Sequence, residues 1–255
     1  MRSTPGGCGT IGKVPMRISF VASSCVFLAV VSVCALSASA QTGTIKGIVR
    51  LAGAPSGNPV IRMGVDPKCA QMNAGNKIIQ EVVSADEKGK LANVFVRLQG
   101  NFAPTPVPQQ PVVIDQRGCV YTPRVVGMRA GQVMQVRNGD NVAHDVHGVS
   151  AAGNDFNVTT ASGGAPFSFQ PKREEVMLRI ICDIHRWMVT YVGVVTNPYF
   201  AVSQRGGAFE IEKIPEGTYA IEAWQERYGV MKKTVRVAAG ETATVDFTYS
   251  GEKKP

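Results

Sequence analysis

The stretch from Val176 to Val195, V-M-L-R-I-I-C-D-I-H-R-W-M-V-T-Y-V-G-V-V, constrains this chain more than any other. Two apolar runs rich in β-branched residues flank a short loop, the pattern of two buried strands joined by a turn. The loop carries Cys182, His185 and Met188 in a Cys-x-x-His-x-x-Met spacing. A thiolate, an imidazole and a thioether are soft and borderline donors that suit copper, and a second imidazole would complete a His₂Cys set with a weak axial Met. The chain has three histidines, His144, His147 and His185. The first two lie together in N-G-D-N-V-A-H-D-V-H-G-V, upstream of the loop. Taken singly, a Cys in an apolar strand is a small buried hydrophobe and a Met beside it is core. Three donor types in order, with a histidine pair upstream, favour copper over packing alone.

Asn138 to Val149 and Val176 to Val195 together resemble the cupredoxins, the plastocyanin- and amicyanin-like family of blue copper proteins. In that family a first His follows a strand, and a Cys…His…Met loop follows much later between the last two strands. The short gap between His185 and Met188 is similar to the amicyanin form. The resemblance covers roughly Leu91 to Thr196. It implies a Greek-key β-sandwich with one type 1 copper site, whose ligands are His144, Cys182, His185 and Met188. Two positions depart from the family pattern: Asp145 stands where Asn is usual, and Ile184 where Pro is often found. His144 and His147 are an odd number of residues apart, so on one strand they point to opposite faces. The resemblance favours His144, because it precedes the Asp145-Val146 pair, and leaves His147 as a structural or surface residue.

Residues 1–40 read as an export signal. Arg2, Lys13 and Arg17 supply positive charge, Ile18 to Leu36 is the apolar region, and A38-S-A40 precedes Gln41 as a small-residue cleavage site. The Gly-rich stretch before Met16 makes Met16 an alternative start. Serines interrupt the apolar region, against a membrane anchor, and Val33 before Cys34 argues against a lipoprotein site. The expected location is the periplasm or the extracellular medium. Cleavage removes Cys8, Cys25 and Cys34 and leaves Cys69, Cys119 and Cys182. An oxidising compartment favours pairing. If Cys182 binds copper, Cys69 and Cys119 remain as the expected disulfide; the alternative is that one or both are reduced and buried.

The mature chain of about 215 residues has room for one large or two small domains. Loss of three basic residues lowers the formal charge from +8 to +5. The charges are scattered, with no Lys/Arg run or aromatic-basic platform, so nucleic acid is not an expected partner. A mildly basic surface fits an acidic redox protein or a membrane surface. No membrane span is expected in the mature chain.

The whole mature chain reads as β structure, with no sustained helical period. Strands are expected at Thr44 to Leu51, Leu91 to Leu98, Pro111 to Ile114, Val133 to Arg137, Phe167 to Gln170 and Val176 to Ile181. Val65 to Ile78 reads as an irregular connection, and Gly153 to Ala165 as loop. After Asn197, short alternating runs are punctuated by Gly-Gly and Pro-Glu-Gly turns and end in T-A-T-V-D-F-T-Y. This segment resembles the carboxypeptidase regulatory-like, or transthyretin-like, β-sandwich, whose pattern includes G-x-F-x-I, P-x-G-x-Y and a closing A-G-E-T strand. Gly43 to Pro55 resembles that module's first strand. The expected organisation is therefore an N-terminal segment at 41–90, a copper domain at 91–197, a second small sandwich at 198–250 and a tail at 251–255. The copper domain would be inserted into the second sandwich.

Enzymatic chemistry has little support. A multicopper oxidase or copper nitrite reductase needs further imidazole clusters, and no histidine is left over. No H-E-x-x-H or G-x-S-x-G occurs. The expected function is electron transfer with a redox protein such as a cytochrome or dehydrogenase. Copper storage, delivery or sensing without turnover is the alternative, and a surface binding module that keeps the fold for structure alone is a weaker one. For electron transfer the expected exit is a solvent-near edge of His185, rimmed by Arg186 and Trp187, and Asp145 is expected to place negative charge near the metal.

Overall fold

In the computed structural model of the chain, the described residues are 41–55 and 57–251, together with Gly12 and Pro15. Apart from those two residues, the expected export signal lies outside them, as does the end of the tail, 252–255. Among the described residues no helix is long and apolar enough to cross a membrane.

The protein is nearly all β, as its alternating apolar runs require. In chain order the strands begin with β1 (Thr42–Leu51), followed by a 3₁₀ turn (Met63–Val65) and a short helix, α1 (Pro67–Met72). Then come β2 (Ser84–Ala85), β3 (Leu91–Ala92), β4 (Phe95–Gln99), β5 (Val112–Gln116), β6 (Tyr121–Thr122) and β7 (Val125–Arg129). The chain continues with β8 (Met134–Asn138), β9 (His144–Val149), β10 (Phe156–Thr160), β11 (Phe167–Phe169), β12 (Glu175–Ile181) and β13 (Val189–Val195). It closes with β14 (Phe200–Val202), β15 (Ala208–Pro215), β16 (Gly217–Gln225), β17 (Gly229–Val237), β18 (Thr242–Thr244) and β19 (Phe247–Tyr249).

Two sandwiches share these strands. The first packs a sheet of order β10-β9-β12-β13-β7 on a sheet of order β11-β8-β5-β6. Its core takes Ile114, Met134 and Val136 from one sheet and Val146, Leu178, Ile180, Val192 and Val194 from the other. The second has β1 between β15 and β18, with β19 also on β1, and a sheet of order β14-β4-β16-β17. Ile45, Val49, Val96, Leu98, Ile211, Ile221 and Phe247 lie in its core. Strand β1 runs antiparallel to β15, with Lys46 opposite Glu210, and parallel to β18 and β19. Between those two short strands, Asp246 accepts hydrogen bonds from the Ile48 amide and the Arg50 guanidinium, both at 2.8 Å. The N-terminal strand is thus hydrogen-bonded into the C-terminal segment.

Several local expectations are corrected. Leu91 to Leu98 does not open the first sandwich: β4 pairs with β14 and β16, with Phe95 opposite Trp224. The reason is its period of two, which sends Val94, Val96 and Leu98 into the core of the second sandwich. Its other face carries Phe95, which packs with Val125 and Val195 of the first sandwich. Val65 to Ile78 is not wholly irregular. Asp66 caps α1 by accepting from the amides of Lys68 and Cys69 at 2.9 and 3.1 Å, and Pro67 occupies the first helical position. Gly153 to Ala165 contains β10, whose side chains are mostly exposed and so leave no alternation to read.

Phe95 lies against two opposed glycines, Gly127 of β7 and Gly193 of β13. A Cβ at Gly193 would sit 2.6 Å from Phe95 Cε2, well inside contact distance. The absence of side chains there lets the ring of one sandwich rest on the sheet of the other.

Candidate metal centre

His144 opens β9 immediately after the Asn138–Asn141 turn, and β9 alternates so that His144, Val146 and Gly148 are buried. His147 falls on the opposite face, half-buried, where its Nδ1 lies 2.9 Å from Asp183 Oδ2. The His147 hydrogen bond holds the Asp183 carboxyl below its usual range. Strands β12 and β13 bring the loop of Cys182, His185 and Met188 to the same end of the sandwich. Two backbone bonds shape it: the Cys182 amide donates to the Met188 carbonyl at 3.2 Å, and the Met188 amide to the His185 carbonyl at 2.8 Å. Cys182, His185 and Met188 are all buried, Met188 completely.

The nitrogen and sulfur donors converge. Nδ1 of His144 and Nδ1 of His185 lie 2.9 Å apart, so the two ring nitrogens face one another across the space a cation would take. Cys182 Sγ is 3.8 Å from His185 Nδ1, and the ligand atoms of the three residues fall within 4.8 Å of one another. Cys182 is the free cysteine among the described residues. Its sulfur accepts from the amides of Asp145 and His185 at 3.2 and 3.3 Å. Two N–H groups aimed at one sulfur fit a thiolate bound to a metal, which accepts hydrogen bonds and has no proton to give. The donor set therefore fits copper.

A second layer holds the rings by their far nitrogens, and sequence reasoning missed it. His144 Nε2 is 2.9 Å from Asp140 Oδ2. Burial alone would lower the His144 pKa, but its hydrogen bond to Asp140 and the proximity of Cys182 outweigh that and raise it to about 9. Burial raises the Asp140 carboxyl, yet the bonds from His144 and from the amides of Cys119 and Gly118 leave it lowered. Gly118 has φ +63, which lets consecutive amides aim at one carboxylate. His185 Nε2 is 3.0 Å from Asp66 Oδ2, a bond that heads the causes lowering the Asp66 carboxyl. Carboxylates on the outer nitrogens of metal-binding imidazoles fix ring orientation. A helix-capping Asp before Pro was the legible signal for Asp66; Asp140 had only its turn.

Two further expectations change. His185 is 1% exposed, so it offers no solvent-near edge. It is covered by Asp66, by Cys69 Sγ at 3.5 Å and by the Trp187 ring, whose centroid is 5.2 Å away. Asp145 turns its carboxylate to Thr159 Oγ1 at 2.7 Å, and its contribution to the site is its backbone amide. The expected disulfide does form: Cys69 and Cys119 are joined, which ties α1 to the turn before β6. The Trp187 indole donates to the Cys119 carbonyl at 2.8 Å and fastens the loop to that turn.

A family model described as polysaccharide lyase family 4, domain II, matches residues 195–245, most of the segment that resembles a regulatory-like module in sequence. No curated protein matches the chain. Among solved structures, the chain is similar to a purple cupredoxin from Nitrosopumilus maritimus at 21% identity and a TM-score of 0.29, covering 32% of this chain and 98% of that one. It is similar to an amicyanin variant in the Cu(I) state at 16% identity and a TM-score of 0.30, covering 39% of this chain and 97% of that one. A copper-containing nitrite reductase from Thermus scotoductus SA-01 is similar at 18% identity and a TM-score of 0.31, over 37% of this chain. The chain spans about a quarter, 24%, of that reductase.

Proposed function

We propose that this is an exported type 1 copper protein that passes single electrons to or from a redox protein partner and performs no catalysis. The observation that carries the reading is the convergence of His144, Cys182 and His185 on one buried point, with two amides directed at the Cys182 sulfur. His144 and His185 would supply their Nδ1 atoms, Cys182 its thiolate and Met188 a weak thioether contact. Bound copper would supply a one-electron Cu(I)/Cu(II) couple, tuned by the axial ligand and by the hydrogen bonds to the sulfur. The chain's own task is to hold those donors in one geometry for both states. Asp140 and Asp66 orient the rings, the fully buried Met188 excludes water, and the disulfide anchors the cover over His185.

The burial of His185 favours a second reading, copper storage or delivery without turnover, since a sealed ligand slows exchange with a protein partner. The two readings diverge in the rate of electron exchange with a soluble cytochrome, fast for a carrier and negligible for a store.

The ligand assignment is tested by copper titration of two histidine variants. His144→Ala should lose tight copper binding and its visible spectrum, while His147→Ala keeps both. The reverse pattern would overturn the assignment.

A further inference from the structure

The proposed copper uses the Nδ1 atoms of two imidazoles, and the Nε2 atoms of the same rings meet a second set of donors. His185 Nε2 lies 3.0 Å from Asp66 Oδ2 and 3.5 Å from Cys69 Sγ. His144 Nε2 lies 2.9 Å from Asp140 Oδ2, and that oxygen also accepts the Cys119 amide at 2.8 Å. The ligand atoms of Asp66, Cys69 and His185 fall within 4.8 Å of one another, and so do those of Cys119, Asp140 and His144. One disulfide links the two groups, because Cys69 is bonded to Cys119. Both sulfurs are fully buried, and Asp140 is 6% exposed. A staple would explain the bond. It does not call for a carboxylate and an imidazole grouped with each of its sulfurs.

We propose that opening the Cys69–Cys119 disulfide creates a second copper site, in which the two thiolates take one Cu(I) ion with Asp66 and Asp140 beside it. The reductant is a dithiol. It gives two electrons and two protons, the S–S bond breaks to leave two cysteine thiols, and the dithiol closes to its own disulfide. On binding, each thiol releases its proton to solvent and the ion takes their place. Soft thiolates suit Cu(I), as they also suit zinc, and copper supplied as Cu(I) needs no change of oxidation state. The cover that must open is short: α1 has six residues, and Asp66, its cap, is itself one of the donors. The disulfide thus makes copper capacity depend on thiol redox state, two ions when reduced and one when oxidised.

The test uses the mature chain, reduced with dithiothreitol in mild denaturant, then freed of both without oxygen. Cu(I) is titrated against a competing chromogenic chelator. The reduced chain should hold two ions and the oxidised chain one. A Cys69→Ser/Cys119→Ser chain should gain no ion on reduction. Cys182→Ser should hold none when oxidised and one when reduced, which separates this site from the proposed type 1 site. If the oxidised wild type takes no copper, the type 1 reading falls, while the increment on reduction still decides this proposal. Should reduction alone diminish the near-ultraviolet circular dichroism, the additional Cu(I) must restore it. Equal stoichiometry before and after reduction, failure to restore the signal, or a reduction-dependent ion that persists without Cys69 and Cys119 would each overturn the proposal.

Discussion

Replacing Gly193 by Ala probes the joint between the two sandwiches, because the effect should reverse sign when Phe95 is removed. The three heavy atoms nearest a Cβ at Gly193 all belong to the Phe95 ring, two of them at 2.6 and 2.7 Å. Carbon atoms pack at about 3.5–4.0 Å, so the ring must move by about 1 Å. Phe95 is 1% exposed and packs on β7 and β13, so that movement disturbs a filled core. Overpacking of this kind costs about 1–3 kcal/mol. Against it, Gly→Ala at an ordinary backbone conformation gains about 0.4–1 kcal/mol by restricting the unfolded chain. The overlap wins, and Gly193→Ala should be destabilising by about 1–2 kcal/mol. Phe95→Ala alone should cost about 3–5 kcal/mol by leaving a cavity. In that background the new methyl enters vacated space, and Gly193→Ala should become neutral or stabilising. Urea unfolding of the wild type, both single variants and the double variant gives the coupling directly. Additivity within about 0.5 kcal/mol would show that Phe95 does not rest on Gly193, and the account of the joint would fail.

Three further outcomes follow from the site. Cys69→Ser/Cys119→Ser removes a bridge with a sequence separation of 50 residues and should destabilise the chain by about 4 kcal/mol in the chain-entropy treatment, read by the same urea assay. Asp66→Ala should weaken copper binding by about 10–100-fold by releasing His185 Nε2, and loss of the α1 cap should take about 1 kcal/mol of stability; competitive titration and unfolding separate the two effects. In the metal-free chain His144 is raised to about 9, above its unfolded value of about 6.5, so its pairing with Asp140 stabilises fully below about pH 6.5 and is lost as the pH rises through about 9. Asp140→Asn should flatten that part of the stability–pH profile, and an unchanged slope would count against the pairing.

Much of the architecture was legible because burial writes a period into sequence. Strands β1 and β12 alternate or run apolar, and the expected Thr44 to Leu51 and Val176 to Ile181 lie within two residues of the observed bounds. The loop of Cys182, His185 and Met188 was legible because its donor types have a defined chemistry and a fixed order. What remained hidden had little local signal beyond the helix cap at Asp66. Strand β10 is largely exposed, so it has no apolar face to reveal it. The membership of β4 depends on which sheet its Val94, Val96 and Leu98 face can cover, a choice made by tertiary packing. Asp66 and Asp140 reach the site through the fold, from a helix cap and a turn, and spacing relative to Cys182 gives no hint of either. The burial of His185 follows from α1 being drawn over it by Cys69, a contact between residues 116 apart in sequence.

The central claim is that Cys182 binds copper as a thiolate between His144 and His185. Visible absorption of the Cu(II)-loaded mature chain tests it most directly, with Cys182→Ser measured beside it. The account predicts an intense thiolate-to-copper charge-transfer band at one copper per chain, absent from Cys182→Ser. A loaded wild type that shows only weak ligand-field absorption, or an intense band that survives Cys182→Ser, would contradict it.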